Sequence, residues 1–165
     1  MTDIFELAVE RRIAAPPSAV WAIMTERLTE WWCPKPWTTT IRSLDWRAGG
    51  DANLTMNGPN GEVHKQDGVI LEYTRGERFV FTDALIRGWI PSGPFMVGTF
   101  AITADGEGTL YRASARHWSA QARDEHRAMG FEEGWTAVAE QLAALAEGGL
   151  GTAEDHAKPA APLSV

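Results

Sequence analysis

Two histidines in the last third of the chain come closest to the spacing needed for acid–base or metal chemistry. His117 ends a predicted strand and His126 lies in the first turns of the helical stretch that follows, so a short corner brings them near each other. Two imidazoles could exchange a proton or bind a metal, or each could simply cap a backbone group. His64 and Cys33 are too distant to complete the four ligands of structural zinc. We therefore expect no metal site and no cofactor.

Arg11 and Asp83 are the candidates for a polar pair inside the fold. Arg11 falls on the apolar face of the first predicted strand, and Asp83 shares a strand face with Phe79 and Phe81. An unpaired buried charge is costly, so we expect the two to form an internal ion pair. If that pair lines a cavity, it would hold a ligand carboxylate or act as an acid–base site.

Other catalytic patterns are not supported. Cys33, in the phrase Trp-Trp-Cys-Pro, has no evident base or orienting group, so it is predicted to be a small buried hydrophobe. Gly49-Gly50 and Gly58-x-x-Gly61 do not lead from a strand into a helix, as a phosphate loop requires, and are predicted to be turns. No serine lies in a G-x-S-x-G context. No residue is assigned a catalytic role.

The aromatic content is the strongest remaining signal, because the chain has 8 tryptophans. Each supplies a large apolar wall and one hydrogen-bond donor. They could only fill the core, or some could line a ligand pocket, and we predict the second. The predicted ligand-binding residues are Arg11, Trp31, Trp32, Trp37, Phe79, Phe81, Asp83, Trp89, Phe95, His117, Trp118 and Met129.

The elements that position these side chains are strands, two short helices and one long helix. Alternation predicts a first strand over 5–13, after which Pro17 begins a helix to about Arg27 and a helical turn spans 28–32. Further strands are predicted over 38–46, 53–56, 63–73 with a bulge at Gly68, 78–84, 95–103 and 109–117, with a long connection over 85–94 that could gate a cavity. Residues 120–147 are predicted to form one helix with an apolar seam. The order predicts an α+β fold, in which about seven antiparallel strands curve around the C-terminal helix.

Bulk composition limits the classes of partner. The 165 residues suit one domain, predicted over 1–147, followed by a disordered tail over 148–165. A formal net charge of −7 argues against nucleic acid and anionic membranes, and no apolar run approaches the roughly 20 residues that span a bilayer. A single cysteine fits a reducing compartment, so we expect a cytoplasmic protein. A homodimer is left open.

A set of phrases in a fixed order resembles a known family. They are Arg11-x-Ile13-x-Ala15-Pro16, Val20-Trp21, Trp31-Trp-Cys-Pro34, Asp45-x-Arg47-x-Gly49-Gly50, Phe81-Thr82, Gly108-Thr109 and His126-x-x-Met-Gly-Phe-x-x-Gly-Trp135. Together they resemble the activator-of-heat-shock-ATPase homologues, which belong to the START-like, or SRPBCC, helix-grip superfamily. The resemblance runs from about residue 5 to about residue 146.

The resemblance implies a helix-grip fold, whose sheet wraps the C-terminal helix around an apolar cavity that takes lipids, sterols or polyketides. We therefore expect a small hydrophobic or amphipathic ligand to bind between the sheet and that helix. The alternatives are a cyclase- or dehydratase-type enzyme, in which Arg11, Asp83 or His117 moves a proton on a bound carbonyl compound, and a chaperone-accessory or other interaction role. The family's namesake co-chaperones carry an extra N-terminal domain. In this chain the first predicted strand begins at about residue 4, so we expect a stand-alone member without a chaperone partner.

Overall fold

Antiparallel strands and four helices make up the part of the chain that the computed structural model describes, residues 2–148. In chain order the strands are β1 (Phe5–Ile13), β2 (Thr38–Leu44), β3 (Ala52–Asn57), β4 (Val63–Gln66), β5 (Val69–Thr74), β6 (Arg78–Thr82), β7 (Leu85–Ile86), β8 (Ile90–Pro91), β9 (Val97–Asp105) and β10 (Gly108–His117). The helices are α1 (Pro17–Glu26), α2 (Leu28–Trp31), α3 (Ala120–Ala128) and α4 (Phe131–Ala146).

The longer strands form two sheets that meet at a corner. One sheet has the order β1-β10-β9-β6-β5 and the other the order β2-β3-β4. The corner lies at Gly68, between β4 and β5, where a Cβ atom would come within 2.3 Å of the Thr82 carbonyl oxygen. Backbone hydrogen bonds from Ala52 N to Gly68 O (3.0 Å) and from Ile70 N to Gly50 O (2.9 Å) join the two sheets beside it. Glycine is needed at this corner because any side chain there would collide with the backbone of β6.

Helix α4 covers the five-stranded sheet with its apolar face. Phe131, Trp135, Val138 and Leu142 are all buried, as the predicted seam requires. The Trp135 ring stacks on Phe100 of β9, with ring centroids 5.4 Å apart. Large aromatic side chains therefore fill much of the space between the sheet and the helix.

The predicted α+β fold class is confirmed, and so is the order of its elements. The strand count agrees as well if β4 and β5 are taken as one bent strand and the short pair β7–β8 is left aside. Such an arrangement, with a curved antiparallel sheet and a helix across it, is the helix-grip architecture that the sequence predicted.

The prediction of a single helix over 120–147 is wrong. Helix α3 ends at Ala128, and α4 begins at Phe131 after Gly130, whose φ of 97° lies in the left-handed region. The apolar periodicity on both sides of the break is helical, so periodicity alone does not reveal it. Ser119 caps the N-terminus of α3, because its hydroxyl oxygen accepts a hydrogen bond from Ala122 N (3.1 Å).

One strand prediction and one connection prediction also need correction. The strand predicted over 63–73 is interrupted at residues 67–68, because the chain turns there from one sheet into the other. The long connection predicted over 85–94 contains a small hairpin, in which Ile86 pairs with Ile90. The Trp89 ring at its tip packs on Gly49, where a Cβ atom would lie 2.9 Å from Trp89 Cζ2.

The predicted tail lies outside the described residues apart from Gly148, and its boundary stays a prediction. None of the helices that the structure describes has the length and apolar character needed to cross a bilayer.

Candidate functional site

The candidate site is an apolar cavity of about 40 Å³ in the corner between the two sheets. Helix α2 closes it on one side, and strands of both sheets supply the remaining walls. Its lining consists of Leu28, Trp31, Trp32, Leu44, Trp46, Ala52, Leu54, Gln66, Ile70, Phe79, Phe81 and Phe100. Gln66 is the polar exception in a lining that is otherwise aliphatic and aromatic.

The aromatic wall on the five-stranded sheet follows from strand register. Phe79 of β6 pairs with Phe100 of β9, and their rings stack with centroids 5.0 Å apart. Phe81 pairs with Gly98, and a Cβ atom on Gly98 would lie 2.5 Å from the Phe81 ring. Because Gly98 has no side chain, the Phe81 ring can lie flat across the neighbouring strand.

The wall on the side of α2 comes from that helix and from Trp32, which directly follows it. Gln141 of α4 donates from Nε2 to the carbonyl oxygens of Trp31 (2.8 Å) and Cys33 (3.0 Å). Thr39 donates from its hydroxyl to the Trp32 carbonyl oxygen (3.0 Å). Cys33 has a φ of 76°, so the chain turns sharply directly after Trp32. These hydrogen bonds anchor the carbonyl groups of three consecutive residues, Trp31, Trp32 and Cys33, and so hold the backbone that carries the two tryptophans.

The Trp32 ring is surrounded by other aromatic rings. Its centroid lies 5.6 Å from that of Trp31, 5.3 Å from that of Phe100 and 5.6 Å from that of Trp135, each at a steep interplanar angle. Edge-to-face packing is a favoured geometry for aromatic pairs and contributes about 0.5–1.5 kcal/mol per pair beyond the area buried. Trp32 is therefore packed against aromatic rings of α2, β9 and α4 where it forms part of the cavity wall.

Two buried polar atoms belong to residues of the lining. Trp32 Nε1 and Gln66 Oε1 are both inaccessible to solvent and have no hydrogen-bond partner among the described residues. The same is true of Trp21 Nε1, Trp135 Nε1 and Tyr111 Oη, which belong to residues outside the lining. Buried polar atoms are nearly always hydrogen-bonded, so each of these requires an explanation.

Four of the predicted ligand-binding residues line the cavity: Trp31, Trp32, Phe79 and Phe81. Trp37 is buried in the core beside them, outside the lining. Trp89, Trp118 and Met129 are exposed by 56%, 54% and 47%, because they lie on the β7–β8 hairpin, at the corner before α3 and at the break between α3 and α4. The cavity also differs in place from the prediction: it lies between the sheets instead of against the C-terminal helix, since aromatic rings fill the space under α4.

The expected internal ion pair between Arg11 and Asp83 is not formed. Arg11 pairs with Glu140 of α4, with Nε 2.7 Å from Oε1, at a site where both side chains are partly exposed. Asp83 accepts hydrogen bonds from the backbone N–H groups of Phe95 (2.8 Å) and Met96 (3.1 Å). Burial raises the pKa of Asp83 above its ordinary value, although these two hydrogen bonds oppose the rise. Its role is to hold the start of β9 against the end of β6.

The predicted proximity of the two histidines is found. His117 Nε2 lies 2.8 Å from His126 Nδ1, and His117 Nδ1 lies 3.1 Å from the Phe5 carbonyl oxygen. With its proton on Nδ1, His117 donates to that carbonyl, and its bare Nε2 accepts from His126. Burial lowers the pKa of His117, and the nearby Arg123 acts in the same direction. The Phe95 ring covers the pair, with its centroid 4.6 Å from that of His126.

This histidine pair belongs to the packing between the sheet and α3. His117 and His126 are both buried, and neither contributes to the cavity lining. Among the described residues, no three His, Cys, Asp or Glu side chains cluster closely enough to hold a metal ion.

Sequence reasoning missed eight of the lining residues: Leu28, Leu44, Trp46, Ala52, Leu54, Gln66, Ile70 and Phe100. A signal existed for Leu54, because it alternates with Met56 on one face of the strand predicted over 53–56. The sequence contains no signal for the burial of Gln66, because that burial results from the turn at Gly68, which brings the end of β4 into the corner.

Comparisons with known proteins agree with this architecture. The family model described as Activator of Hsp90 ATPase homolog 1-like protein matches residues 14–147. A protein from Nitrosomonas europaea is 34% identical with a TM-score of 0.82, over 87% of this chain and 95% of that one. A protein from Mycobacterium smegmatis is 26% identical with a TM-score of 0.72, also over 87% and 95%.

A more distant protein, from Arthrobacter aurescens, shares the fold at 20% identity, with a TM-score of 0.80 over 96% of this chain and 98% of that one. No curated protein matches the chain. The family model covers most of the sequence, and its match includes both helices of the first connection, the cavity walls and α4. The chain therefore belongs to the family of Activator of Hsp90 ATPase homolog 1-like proteins.

Proposed function

We propose that this protein binds a small apolar or amphipathic molecule in the cavity between its two sheets. The observation that carries the proposal is the cavity itself, an apolar space in the corner of a core that is otherwise filled by large side chains. Protein interiors are packed as densely as organic crystals, so a space bounded by aromatic rings loses contacts on every wall. An apolar ligand restores those contacts.

The size of the cavity sets a condition on binding. Its volume is about 40 Å³, whereas an apolar cavity that accommodates benzene has a volume of about 150 Å³. Side chains must therefore move when a ligand enters. Leu44 and Trp46 are the half-buried members of the lining, and the other members are buried, so the entrance is expected beside these two.

Binding without catalysis is the form of the proposal that the geometry supports best. The residues considered for proton transfer, Arg11, Asp83 and His117, do not belong to the lining, and each is engaged elsewhere. A cytoplasmic location remains the expectation from the single cysteine.

The first test is to titrate the purified protein with toluene and follow the indole N–H resonances of its tryptophans by NMR. We expect saturable shifts of the Trp31 and Trp32 signals and a rise in melting temperature, since a ligand that binds only the folded state stabilises it. Native mass spectrometry of the protein as purified, compared with the denatured protein, shows whether a ligand is retained. If toluene moves no indole signal up to its solubility limit, the proposal is wrong.

A further inference from the structure

Helix α3 is held on the fold by one buried side chain. His126 is 2% exposed, and it is the only one of the nine residues of α3, all of them described, that is buried. Arg123 adds a second contact, because its guanidinium carbon lies 6.0 Å from the centroid of the Phe5 ring. Helix α4, by contrast, has seven buried residues. An element with so few buried contacts opens at a lower free-energy cost than the rest of a fold.

The pocket that receives His126 is formed by the end of β10, the segment before β9 and the start of α4. His126 Nδ1 lies 2.8 Å from His117 Nε2, at the end of β10. Aromatic rings enclose it on other sides, with centroid distances of 4.6 Å to Phe95, 5.1 Å to Phe131 and 6.1 Å to Trp135. The contact between the two imidazoles therefore ties α3 to the sheet inside an apolar surrounding.

That contact requires a bare nitrogen on His117. His117 Nδ1 lies 3.1 Å from the Phe5 carbonyl oxygen, which can only accept, so the proton of neutral His117 is on Nδ1. Its Nε2 is then bare and accepts a hydrogen bond from His126 Nδ1. A second proton, on His117 Nε2, would place two N–H donors against each other. Protonated His117 therefore cannot keep the contact with His126 in its present geometry.

The charged groups around His117 do not favour its protonation. Burial lowers the pKa of His117, and the Arg123 guanidinium of α3 acts in the same direction. Asp124 neutralises part of that charge, since its Oδ1 lies 2.9 Å from Arg123 Nε. The strand β1 presents the Phe5 carbonyl, and the other neighbours of the pair are the uncharged aromatic rings given above. Among the described residues, no carboxylate acts on His117 to stabilise an imidazolium.

Both ends of α3 are non-helical joints. Ser119, directly before the helix, has an extended backbone with a φ of −154° and a ψ of 165°. Gly130, after the helix, has a φ of 97°, and nothing lies within 4 Å of the position where its Cβ would be. Because β10 ends at His117 and α4 begins at Phe131, detachment of α3 requires no change within either element.

We propose that α3 is an acid-sensitive switch, in which protonation of His117 breaks the contact with His126 and releases α3 from the sheet while β10 and α4 stay folded. Release uncovers the apolar surface of Phe95 and Phe131 that His126 covers. No residue of α3 lines the cavity between the sheets, so the switch is separate from the proposed ligand site.

The size of the effect follows from proton linkage. A released His117 has an ordinary histidine pKa of about 6.5, whereas in the docked state its pKa is lower. The docked state is therefore favoured above about pH 6.5, and this preference is lost as the pH falls below that value. One such histidine favours release by up to about tenfold at pH 5.5 relative to pH 7.5.

Hydrogen exchange of the full chain, followed by mass spectrometry at pH 7.5 and pH 5.5, tests the proposal. After correction for the intrinsic pH dependence of exchange, we expect the protection of amides in α3 to fall by up to about tenfold. Amides of β10 and α4 should change much less. The midpoint of the change in α3 should coincide with the titration of the His117 ring protons in NMR spectra.

The variant His117→Asn keeps an amide donor for the Phe5 carbonyl and takes up no proton, so the protection of α3 should no longer depend on pH. His64→Gln is the matched control, because His64 is exposed on β4, and it should keep the wild-type behaviour. If His117→Asn fails to fold, the wild-type comparison of α3 with α4 and the His117 titration still decide the question.

Three results would each overturn the proposal. The first is an unchanged protection of α3 between the two pH values. The second is an equal loss of protection in α3, α4 and β10, which would mean that the whole domain opens at once. The third is a pH dependence in His117→Asn that equals that of the wild-type protein.

Discussion

The Tyr111 hydroxyl is buried in the core without a hydrogen-bond partner among the described residues, and it lies outside the cavity lining. Burial raises its pKa well above the ordinary value, so the group stays neutral. Tyr111→Phe removes this polar atom and keeps the ring. We expect the free energy of unfolding in urea to rise by about 1 kcal/mol, because an unsatisfied buried group is lost.

Tyr73→Phe serves as the control for this variant, because Tyr73 is only half-buried, and its effect should stay within about 0.5 kcal/mol. A loss of stability in Tyr111→Phe would mean that the hydroxyl is hydrogen-bonded to a buried water, and the prediction of an unsatisfied group would be wrong.

His117 should make the stability of the fold depend on pH. Because its pKa is lowered in the folded protein, the unfolded chain takes up a proton first as the pH falls through about 6.5. Protonation of Nε2 would also direct two N–H groups at each other across the contact with His126. The free energy of unfolding should therefore be lower at pH 5.5 than at pH 7.5, as measured by urea denaturation at both values.

The variant His117→Asn should flatten this dependence while its amide still donates to the Phe5 carbonyl. His64→Gln, at an exposed position on β4, should retain the wild-type dependence. If the free energy of unfolding of His117→Asn falls between pH 7.5 and pH 5.5 as much as that of the wild-type protein, another group causes the pH dependence.

At the scale of single residues, the sequence predicted which aromatic side chains face the interior better than it predicted the partners of polar side chains. The Trp31-Trp32 and Phe79–Phe81 pairs do line a cavity, because a helix end and an alternating strand fix the direction of each side chain. The partner of Arg11 could not be predicted, since it depends on where α4 crosses β1. Gln66 could not be predicted either, since a polar residue at a strand end is usually exposed.

The backbone conformation of one residue, Gly130, separates α3 from α4. Gly130 has a φ of 97°, and nothing lies within 4 Å of the position where its Cβ would be. Gly130→Ala is therefore strained by its backbone conformation alone. We expect it to lower the free energy of unfolding by about 1 kcal/mol, as the net of left-handed strain and the entropy gained by replacing glycine.

Gly93→Ala is the matched control for this substitution. Gly93 also has open space around its Cβ position, and its φ does not lie in the left-handed region. Its variant should be neutral or slightly stabilising in the same denaturation experiment. If both variants lower the free energy of unfolding equally, backbone strain at Gly130 does not explain the effect of Gly130→Ala.

Elements with a strong local signal were predicted well, and their junctions less well. The strand over 5–13 and the short helices after Pro17 carry alternation and proline signals that agree with the final packing. The junctions at Gly68 and Gly130 are decided by tertiary contacts and by a single φ angle, which a hydrophobic period does not contain. The Gly68 position was predicted as an irregularity, but its consequence, a corner that encloses the cavity, depends on the second sheet.

The cavity relates the stability of the whole molecule to its proposed function. Empty apolar space costs packing energy, and filling a space that serves function can raise stability while it lowers activity. Ala52 lies at the start of β3, is 6% exposed and lines the cavity, so it is the position from which the space can be filled with the smallest change.

Ala52→Val should add methyl groups to the cavity and raise the free energy of unfolding by about 1 kcal/mol. The same variant should bind toluene at least about tenfold more weakly, because the ligand must then displace well-packed atoms. Ala113→Val is the control: Ala113 is fully buried outside the lining, where added volume has no space and should cost about 1–3 kcal/mol. A rise in the free energy of unfolding for Ala52→Val and a fall for Ala113→Val, both measured by urea denaturation, would show that the cavity is empty space inside the fold. If Ala52→Val is destabilising and still binds toluene normally, then the ligand binds elsewhere, and this corner is only a packing defect.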